Sequence, residues 1–273
     1  MRAIKRVPTY VFLAFGALVM IFPFYWMFAS AFKTAQEINK FPPLWLPGSF
    51  QFENFVTAFQ KAPFARYFAN SVIVTLACVA CTALTTILGA FAFSRLKFPG
   101  RELVFALLLS LMMIPFEMLI VTNYTTIIQI GLNDTVAALI VPFTSSIFYT
   151  YILRNFFRTV PDSLYYSARV DGASNWRYLW RILVPMAKPS LVTIVLLNAL
   201  VSWNSFMWPL MVIKTTPNRT LPFGLYAFTT ESGSNPELLM AASTVVVLPM
   251  ILLFLVARKS IISGVARGGM KGM

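Results

Sequence analysis

Histidine is absent from this sequence of 273 residues, and acidic residues are scarce. Nine Asp and Glu stand against 22 Lys and Arg, and charged residues make up only 11% of the chain. Without histidine, imidazole acid–base catalysis and most zinc sites are excluded. A soluble domain carries about 25% charged residues, so this chain has too little charge to cover a surface exposed to water. The phosphate-binding pattern Gly-x-x-x-x-Gly-Lys-Ser/Thr is also missing, so the sequence predicts neither an ATPase nor any other enzyme.

Cysteine is rarer still, with two residues in the chain. Cys78 and Cys81 form a C-x-x-C pair, a spacing that is typical of redox or metal sites in soluble proteins. Both lie inside the apolar run 72–93, where thiols behave as small hydrophobic groups. The sequence therefore predicts no metal site and no cofactor bound by this chain.

Apolar residues are what the sequence has in excess, at 58%. About 20 helical residues cross a hydrocarbon core of about 30 Å, and six apolar runs approach or exceed that length. We therefore predict an all-α, polytopic membrane protein. Its six transmembrane helices lie near residues 10–32, 68–94, 103–124, 136–153, 190–212 and 238–257. The first run is much longer than the apolar core of a signal peptide, so we expect an uncleaved helix.

Basic residues are distributed unevenly between the two sides of this predicted bundle. Sixteen Lys and Arg fall on the side that holds both termini, and six fall on the other. Because basic loops remain inside, both termini are predicted to be cytoplasmic. The basic residues occur in short clusters between apolar runs, so they indicate membrane topology rather than nucleic-acid binding.

One predicted cytoplasmic connection, 154–189, is much longer than two neighbouring helices need. Thr159 to Asp162 resembles a capped helix start, with Asp162 near the positive end of the helix dipole. Asp171-Gly172 then interrupts the helical pattern, since Gly allows the positive φ that an elbow requires. A second helical piece follows over 174–183. Such a helix–elbow–helix fits a lever that docks on a soluble partner or an amphipathic helix lying at the membrane surface, and physical reasoning alone leaves both open.

The stretch from Val160 to Ser174, followed by Ile182 to Pro185, resembles the EAA loop of ABC importer permeases. That signature is EAA, three residues, Gly, nine residues, Ile, two residues and Pro. The resemblance implies an ATPase-coupling loop over 159–185 whose contact residues are Tyr166, Ser167, Ala168, Asp171, Gly172, Ala173, Ile182 and Pro185. Tyr166 and Ser167 replace the usual Glu and Ala, while Ala168 matches the pattern.

Further stretches resemble the carbohydrate branch of this family, the second permease of maltose-type systems. They are 203–210 in the fifth span, 113–117 in the third span and 264–272 at the C-terminus. The resemblance implies a type I ABC importer transmembrane domain in the bacterial inner membrane, importing a sugar or polyol. It also implies a second homologous permease subunit, two copies of an ATP-binding subunit that hold ATP and Mg²⁺, and a periplasmic or lipid-anchored solute-binding protein.

Polar residues inside the predicted spans are candidates for the translocation path. Small and polar residues share one face of the second span, and similar residues occur in the fifth. Close packing of helices explains such stripes equally well. Glu117 is the one acidic residue well inside an apolar span, where it needs a partner or water. The candidates for the path are Thr75, Thr82, Glu117, Asn198, Ser202 and Asn204.

The resemblance also implies that a loop near residue 232 reaches into the binding protein. The expected contact residues are Thr230, Glu231, Ser232, Gly233, Ser234 and Asn235.

Two other classes of function remain to be weighed. A secondary carrier needs no ATPase, but it predicts repeated halves and coupling carboxylates near the membrane midplane, of which only Glu117 is a candidate. A membrane-embedded enzyme requires a cluster of acids or a nucleophile–base pair, and the nine acidic residues lie mostly in loops.

Overall fold

The computed structural model describes residues 7–231 and 235–269, with side chains for 8–229 and 235–255. Those residues form helices and connecting turns, with no β-strand among them. In chain order the helices are α1 (Val7–Ala31), α2 (Ala35–Ile38), α3 (Glu53–Lys61), α4 (Phe64–Arg95), α5 (Arg101–Leu111), α6 (Phe116–Gln129), α7 (Val136–Ile140), α8 (Ile147–Thr159), α9 (Asp162–Val170), α10 (Asn175–Tyr178), α11 (Val184–Met186), α12 (Lys188–Trp203), α13 (Met207–Val212), α14 (Leu221–Glu231) and α15 (Pro236–Gly269).

Among the described residues, three single helices are long and apolar enough to cross a membrane, and there are six candidate spans if each of three bent helix pairs counts as one. The single helices are Pro8–Ala31, Phe64–Arg95 and Pro236–Leu255. The other three are pairs of helices bent at a short break: α5 with α6 by 97°, the α7 region with α8 by 43°, and the α10–α11 region with α12 by 80°. The fold is therefore the all-α, polytopic arrangement that the apolar runs predict.

The bends are where the structure departs from the predicted straight spans. The predicted span 103–124 is divided between α5 and α6, because Pro115 caps α6 and disfavours helical backbone at the residue before it. Pro142 lies in the 3₁₀ turn that divides the predicted span 136–153 between α7 and α8. The predicted span 190–212 consists of α12 and α13, interrupted at residues 204–206. Apolar length alone carries no information on these breaks.

The chain divides into two compact units. The first is built from the described parts of 1–68 and 221–251. In it, Ala31, Phe32 and Ala241 form a small buried core. The Asn54 amide closes the end of α1 by donating to the carbonyl oxygens of Ala31 and Lys33, at 2.9 Å each.

Gly224 of α14 packs directly against the Tyr67 ring in the first unit. A Cβ atom at this position would lie 2.2 Å from the Tyr67 ring. Only glycine fits here, because any side chain would overlap the aromatic ring.

The second unit comprises 69–220 together with the described part of 252–273. Its main core joins α4, α8, α9, α10 and α12. Leu153, Phe157, Tyr178, Leu179 and Leu183 are almost completely buried there. A π-helical turn over Leu179–Leu183 carries two of these side chains between α10 and α11. This core therefore supports the segment 159–185 from beneath.

Candidate functional site

The segment 159–185 folds as two helices joined by a tight turn at Gly172. Gly172 has φ of +76°, in the left-handed region. The Ala173 N–H donates to the Ala168 carbonyl at 2.9 Å, and the Gly172 N–H donates to the Arg169 carbonyl at 3.1 Å. These two bonds form a Schellman motif, which ends α9 and favours glycine at the left-handed position. Gly172 thus fixes the direction in which α10 leaves α9.

The start of α9 is held by Arg95, the last residue of α4. The Arg95 guanidinium pairs with Asp162 and donates to the carbonyls of Phe157 and Val160, at 2.6 Å each. Arg95 is buried, although the Asp162 side chain is mostly exposed. The sequence predicts a cap at Thr159, but Thr159 ends α8 and its hydroxyl donates to the Phe156 carbonyl. The anchor is therefore a guanidinium from another helix rather than a local capping side chain.

Helices α9 and α10 are joined by side chains as well as by the turn. The Tyr165 hydroxyl donates to Asn175 Oδ1 at 2.8 Å, and its ring packs against Tyr178 at 5.0 Å between centroids. Ser174 caps α10 by accepting the Arg177 N–H at 3.2 Å. The helix–elbow–helix is therefore a packed unit rather than a loose loop.

The predicted coupling residues divide into an exposed face and a supporting face. Tyr166, Ser167, Asp171 and Gly172 are exposed, and so is Pro185 at the end of the segment. Ala168 and Ala173 are buried beneath the turn, and Ile182 packs partly against the core. The structure thus brings the residues from Tyr166 to Ala173 together at one elbow. Ile182 and Pro185 lie apart from it, in the π-helical turn and in α11, which lead to α12.

Two exposed apolar side chains on this elbow are not among the predicted coupling residues. Val170 is 86% exposed and Trp176 is 61% exposed. Exposed apolar residues that occur singly are common on protein surfaces, so the interest of these two lies in their position on either side of the turn at Gly172. Their combination of apolar character and position between polar residues was the available signal.

Two residues of the predicted path, Asn198 and Ser202, lie around one narrow cavity in the second unit. The cavity measures about 70 Å³, and its lining includes Asn198, Ser202 and Cys78. Asn198 Oδ1 is buried and has no hydrogen-bond partner among the described residues. Trp208 closes one side, with its indole N–H donating to the Ala138 carbonyl at 2.9 Å. The sequence predicts Asn198 and Ser202 as path residues and Cys78 as a small hydrophobic group within the span.

The remaining path candidates lie outside this cavity. The Thr82 hydroxyl donates to the Phe143 carbonyl at 2.7 Å, which gives it a structural role. Thr75 Oγ1 is buried without a partner among the described residues. Asn204 is exposed at the end of α12 and donates to the Leu200 carbonyl. The structure therefore does not collect all six candidates at one place.

Glu117 is exposed in the first turn of α6, directly after the 97° bend. The bend places its carboxylate at a helix N-terminus, where the dipole favours negative charge. The neighbouring Phe116 packs on Phe143 and Trp208, with ring centroids 5.2 and 5.9 Å away. Glu117 thus lies beside residues that line the cavity without lining it itself.

The predicted binding-protein contacts lie largely outside the described residues. Thr230 and Glu231 end α14, but their side chains are not described, and 232–234 lie in the undescribed gap. Asn235 precedes α15 and accepts the Leu239 N–H at 3.0 Å.

The predicted outer connections contain two ordered carboxylates. Glu37 accepts the N–H groups of Thr34 and Gly48 at 2.9 and 3.0 Å, and these bonds, the one from Thr34 first, hold its pKa below the ordinary value. Burial alone would raise the pKa of Asp134, but hydrogen bonds from Thr215 and Lys214 outweigh it and leave that pKa lowered. Neither carboxylate is therefore available as a proton carrier near neutral pH.

The described residues contain no group of three His, Cys, Asp or Glu that could hold a metal ion. Cys78 and Cys81 are free thiols, buried and half-buried respectively.

Comparison with known proteins identifies the family. Residues 85–261 match the family model described as binding-protein-dependent transport system inner membrane component. The chain is 32% identical to the inner membrane ABC transporter permease protein YcjP of Escherichia coli, over 99% of this chain and 98% of that one. It is 30% identical to the arabinooligosaccharides transport system permease protein AraQ of Halalkalibacterium halodurans, over 95% and 94%.

A third relative is the diacetylchitobiose uptake system permease protein DasC of Streptomyces coelicolor, 32% identical over 93% of this chain and 92% of that one. The fold also matches a chain in the crystal structure of a bacterial ABC transporter involved in alginate import. That match has a TM-score of 0.84 and 23% identity, and covers 94% of this chain and 96% of that chain. The chain belongs to the family of inner membrane components of binding-protein-dependent transport systems, and it is a permease subunit of an ABC importer.

Proposed function

We propose that this permease forms half of a translocation path for a sugar or polyol and couples to a separate ATPase through the elbow at Gly172. Family membership makes it a multi-pass inner-membrane protein that works with a binding protein. The observation that carries the coupling proposal is the exposed, firmly supported turn between α9 and α10. Its Schellman motif and the Arg95 anchor make it rigid enough to transmit a displacement.

ATP-driven transport by this permease requires a partner that binds and hydrolyses ATP. The sequence has no phosphate-binding loop of its own, so ATP and Mg²⁺ belong to the ATP-binding subunit. Two such subunits, one for this chain and one for a second homologous permease, would close on ATP and draw the two elbows together. Tyr166, Val170 and Trp176 supply the exposed apolar and aromatic surface for that contact.

The topology follows from charge. The elbow belongs to the basic side of the bundle, which is cytoplasmic by the positive-inside rule, and both termini share that side. The opposite side, including 230–235, then faces the solute-binding protein, which is periplasmic or lipid-anchored.

The solute class rests on the relatives. Their names specify arabinooligosaccharides, diacetylchitobiose and, in a further relative 29% identical over 94% of the chain, sn-glycerol-3-phosphate. The buried Asn198 amide and the Ser202 hydroxyl supply the hydrogen-bonding groups that a polyhydroxylated solute needs. Glu117, Thr75 and Asn204 are weaker candidates, because the structure places none of them in the cavity lining.

The test is replacement of Gly172 by valine in the transporter reconstituted with its ATPase, second permease and binding protein. Valine is strained at φ of +76°, by roughly 1–2 kcal/mol, so the turn must rearrange. We expect stimulation of ATPase activity by sugar-loaded binding protein to fall at least tenfold. Sugar uptake should fall in parallel.

Gly131→Val is the matched control, because Gly131 has φ of +73° but lies at the other end of the bundle, after α6. It carries a similar backbone strain without touching the elbow. If Gly172→Val and Gly131→Val reduce coupling equally, the elbow is not the lever. Uptake without any ATPase would instead favour the secondary-carrier alternative.

A further inference from the structure

A large open cavity lies between the α4–α5 connection and α9, in the second unit. Its volume is about 1480 Å³, and it is lined by residues 94–103 together with residues from 158 to 175. It is separate from the narrow cavity around Asn198, with which it shares no lining residue.

The lining of this cavity has an excess of positive charge. The basic residues are Arg95, Lys97, Arg101, Arg158 and Arg169, and the acidic ones are Glu102 and Asp162. Arg95 is neutralised by Asp162, and Arg101 pairs with Glu102. Lys97 and Arg158 are exposed and form no ion pair among the described residues. The two acids therefore leave a cationic surface to be balanced by a ligand.

The backbone of α5 adds to this positive potential. Gly100 precedes α5 and provides no side-chain cap, and the first intrahelical bond of the helix runs from the Val104 N–H to the Gly100 carbonyl. The first N–H groups of α5, at residues 101–103, therefore lie free at a surface that lines the cavity. An oxyanion is the ligand that such groups and nearby guanidinium groups accept best.

An apolar surface along α5 begins at Leu103, which is itself part of the cavity lining. Leu103, Val104 and Leu107 are 66%, 43% and 58% exposed, and they follow the cationic residues along the helix. The predicted membrane boundary falls between the end of the second span at residue 94 and the start of the third at residue 103. The cationic part therefore lies at the depth of the lipid headgroups, and the apolar part lies in the hydrocarbon region. An anionic phospholipid has the matching arrangement, with a negative headgroup joined to apolar acyl chains.

We propose that this cavity binds the phosphodiester headgroup of an anionic phospholipid, with its acyl chains along α5. The proposal rests on the topology given above, which makes the cavity cytoplasmic. Lys97 and Arg158 contact the phosphate, and the α5 N-terminus orients it. Because the cavity also borders α9, the lipid supports the Arg95-anchored start of the coupling segment from the side.

The test uses the assembled transporter in nanodiscs that contain equal amounts of phosphatidylglycerol and phosphatidylcholine. After transfer to detergent, native mass spectrometry measures the ratio of the two lipids retained. Lys97→Gln with Arg158→Gln is compared with Arg181→Gln with Lys188→Gln, which removes the same charge from exposed residues outside the cavity. A basic residue near a membrane surface contributes ~1 kcal/mol to the binding of anionic lipid. Loss of one such charge should therefore lower the ratio of retained phosphatidylglycerol to phosphatidylcholine roughly fivefold, and loss of two should lower it about 25-fold.

We expect wild type and the Arg181/Lys188 variant to prefer phosphatidylglycerol, and the Lys97/Arg158 variant to lose that preference. Equal losses in both variants would overturn the proposal, since they would reflect net charge alone. Displacement of the lipid by millimolar inorganic phosphate would assign the site to a soluble phosphate instead. Release of the ATP-binding subunit from the Lys97/Arg158 variant, with lipid retention unchanged, would assign it to a protein contact.

Lipid retention is measured without ATP and without transport. Failure of the lipid proposal can therefore be distinguished from failure of the coupling proposal. Gly172→Val should retain the lipid as wild type does even where it abolishes coupling. Cysteine substitution at Lys97 tests the topology independently. A membrane-impermeant thiol reagent should fail to label this cysteine in intact cells, and labelling would place the cavity on the outer side instead.

Discussion

Arg95→Gln should destabilise the permease far more than Asp162→Asn, although the two residues form one ion pair. Arg95 is 8% exposed and its guanidinium satisfies two buried carbonyls, those of Phe157 and Val160. The Asp162 side chain is 77% exposed and contributes a carboxylate that water can replace. The hydrogen bonds to the carbonyls, rather than the attraction between charges, should therefore dominate.

The magnitudes follow from these environments. A hydrogen bond from a charged donor contributes roughly 1.5–3 kcal/mol, and leaving a buried carbonyl unpaired costs about 1–3 kcal/mol. Glutamine can replace at most part of the fork, so Arg95→Gln should lower the free energy of unfolding by about 3 kcal/mol. An exposed ion pair contributes about 0.2–1 kcal/mol, so Asp162→Asn should cost about 0.5 kcal/mol.

The assay is thermal unfolding of the purified transporter in mild detergent, followed through a fluorescent thiol probe or intrinsic tryptophan. The double variant should be no less stable than Arg95→Gln alone, because the ion pair is already lost. Arg101→Gln is the comparison variant, since half-buried Arg101 pairs with Glu102 and donates to one carbonyl, that of Leu96 at 3.0 Å, where Arg95 donates to two. Its cost should be about half that of Arg95→Gln, roughly 1.5 kcal/mol. If Asp162→Asn proves as costly as Arg95→Gln, the ion pair holds α9 and the reasoning from the carbonyls fails.

Two further predictions concern other parts of the molecule. Gly224→Ala should lower stability by about 1–3 kcal/mol, because its Cβ would overlap the Tyr67 ring. This cost exceeds the gain of about 1 kcal/mol in helix propensity. In a double-mutant cycle of thermal stabilities, Tyr67→Ala should remove most of the penalty. The Asp134 carboxylate has a lowered pKa, so its stabilisation is full above about pH 4 and is lost as pH falls through the folded-state value. Asp134→Asn should cost about 1 kcal/mol at pH 7 and less at pH 3, by thermal unfolding at both pH values. Equal costs would contradict the bonds to Lys214 and Thr215.

The sequence specified the existence of the spans and the elbow, because both depend on local information. Apolar length determines whether a helix can cross a bilayer, and Gly172 predicts a turn because glycine tolerates a positive φ. The position of the elbow relative to α4 cannot be predicted from such local information. It depends on Arg95 meeting carbonyls more than 60 residues away.

The candidate path was predicted less completely than the elbow. Asn198 and Ser202 share a helix face, so a helical period places them together, and the structure has both at one cavity. A charge is costly in an apolar run, which makes Glu117 a path candidate from sequence, but the bend at Pro115 places it at an exposed helix start. Straightness is a tertiary property, so charge and hydropathy could not show where this carboxylate would lie.

The bend between α5 and α6 divides one span into two arms with different attachments. Arg154 of α8 pairs with Glu102 at the start of α5, at 2.6 Å, whereas α6 packs its Phe116 on Trp208 of α13. In a straight helix, a displacement of one end also moves the other end. The break at residues 112–115 instead allows α5 and α6 to rotate separately. We therefore expect this span to act as a hinge: a pull on the elbow turns α5 with α8 while α6 keeps its place beside the cavity.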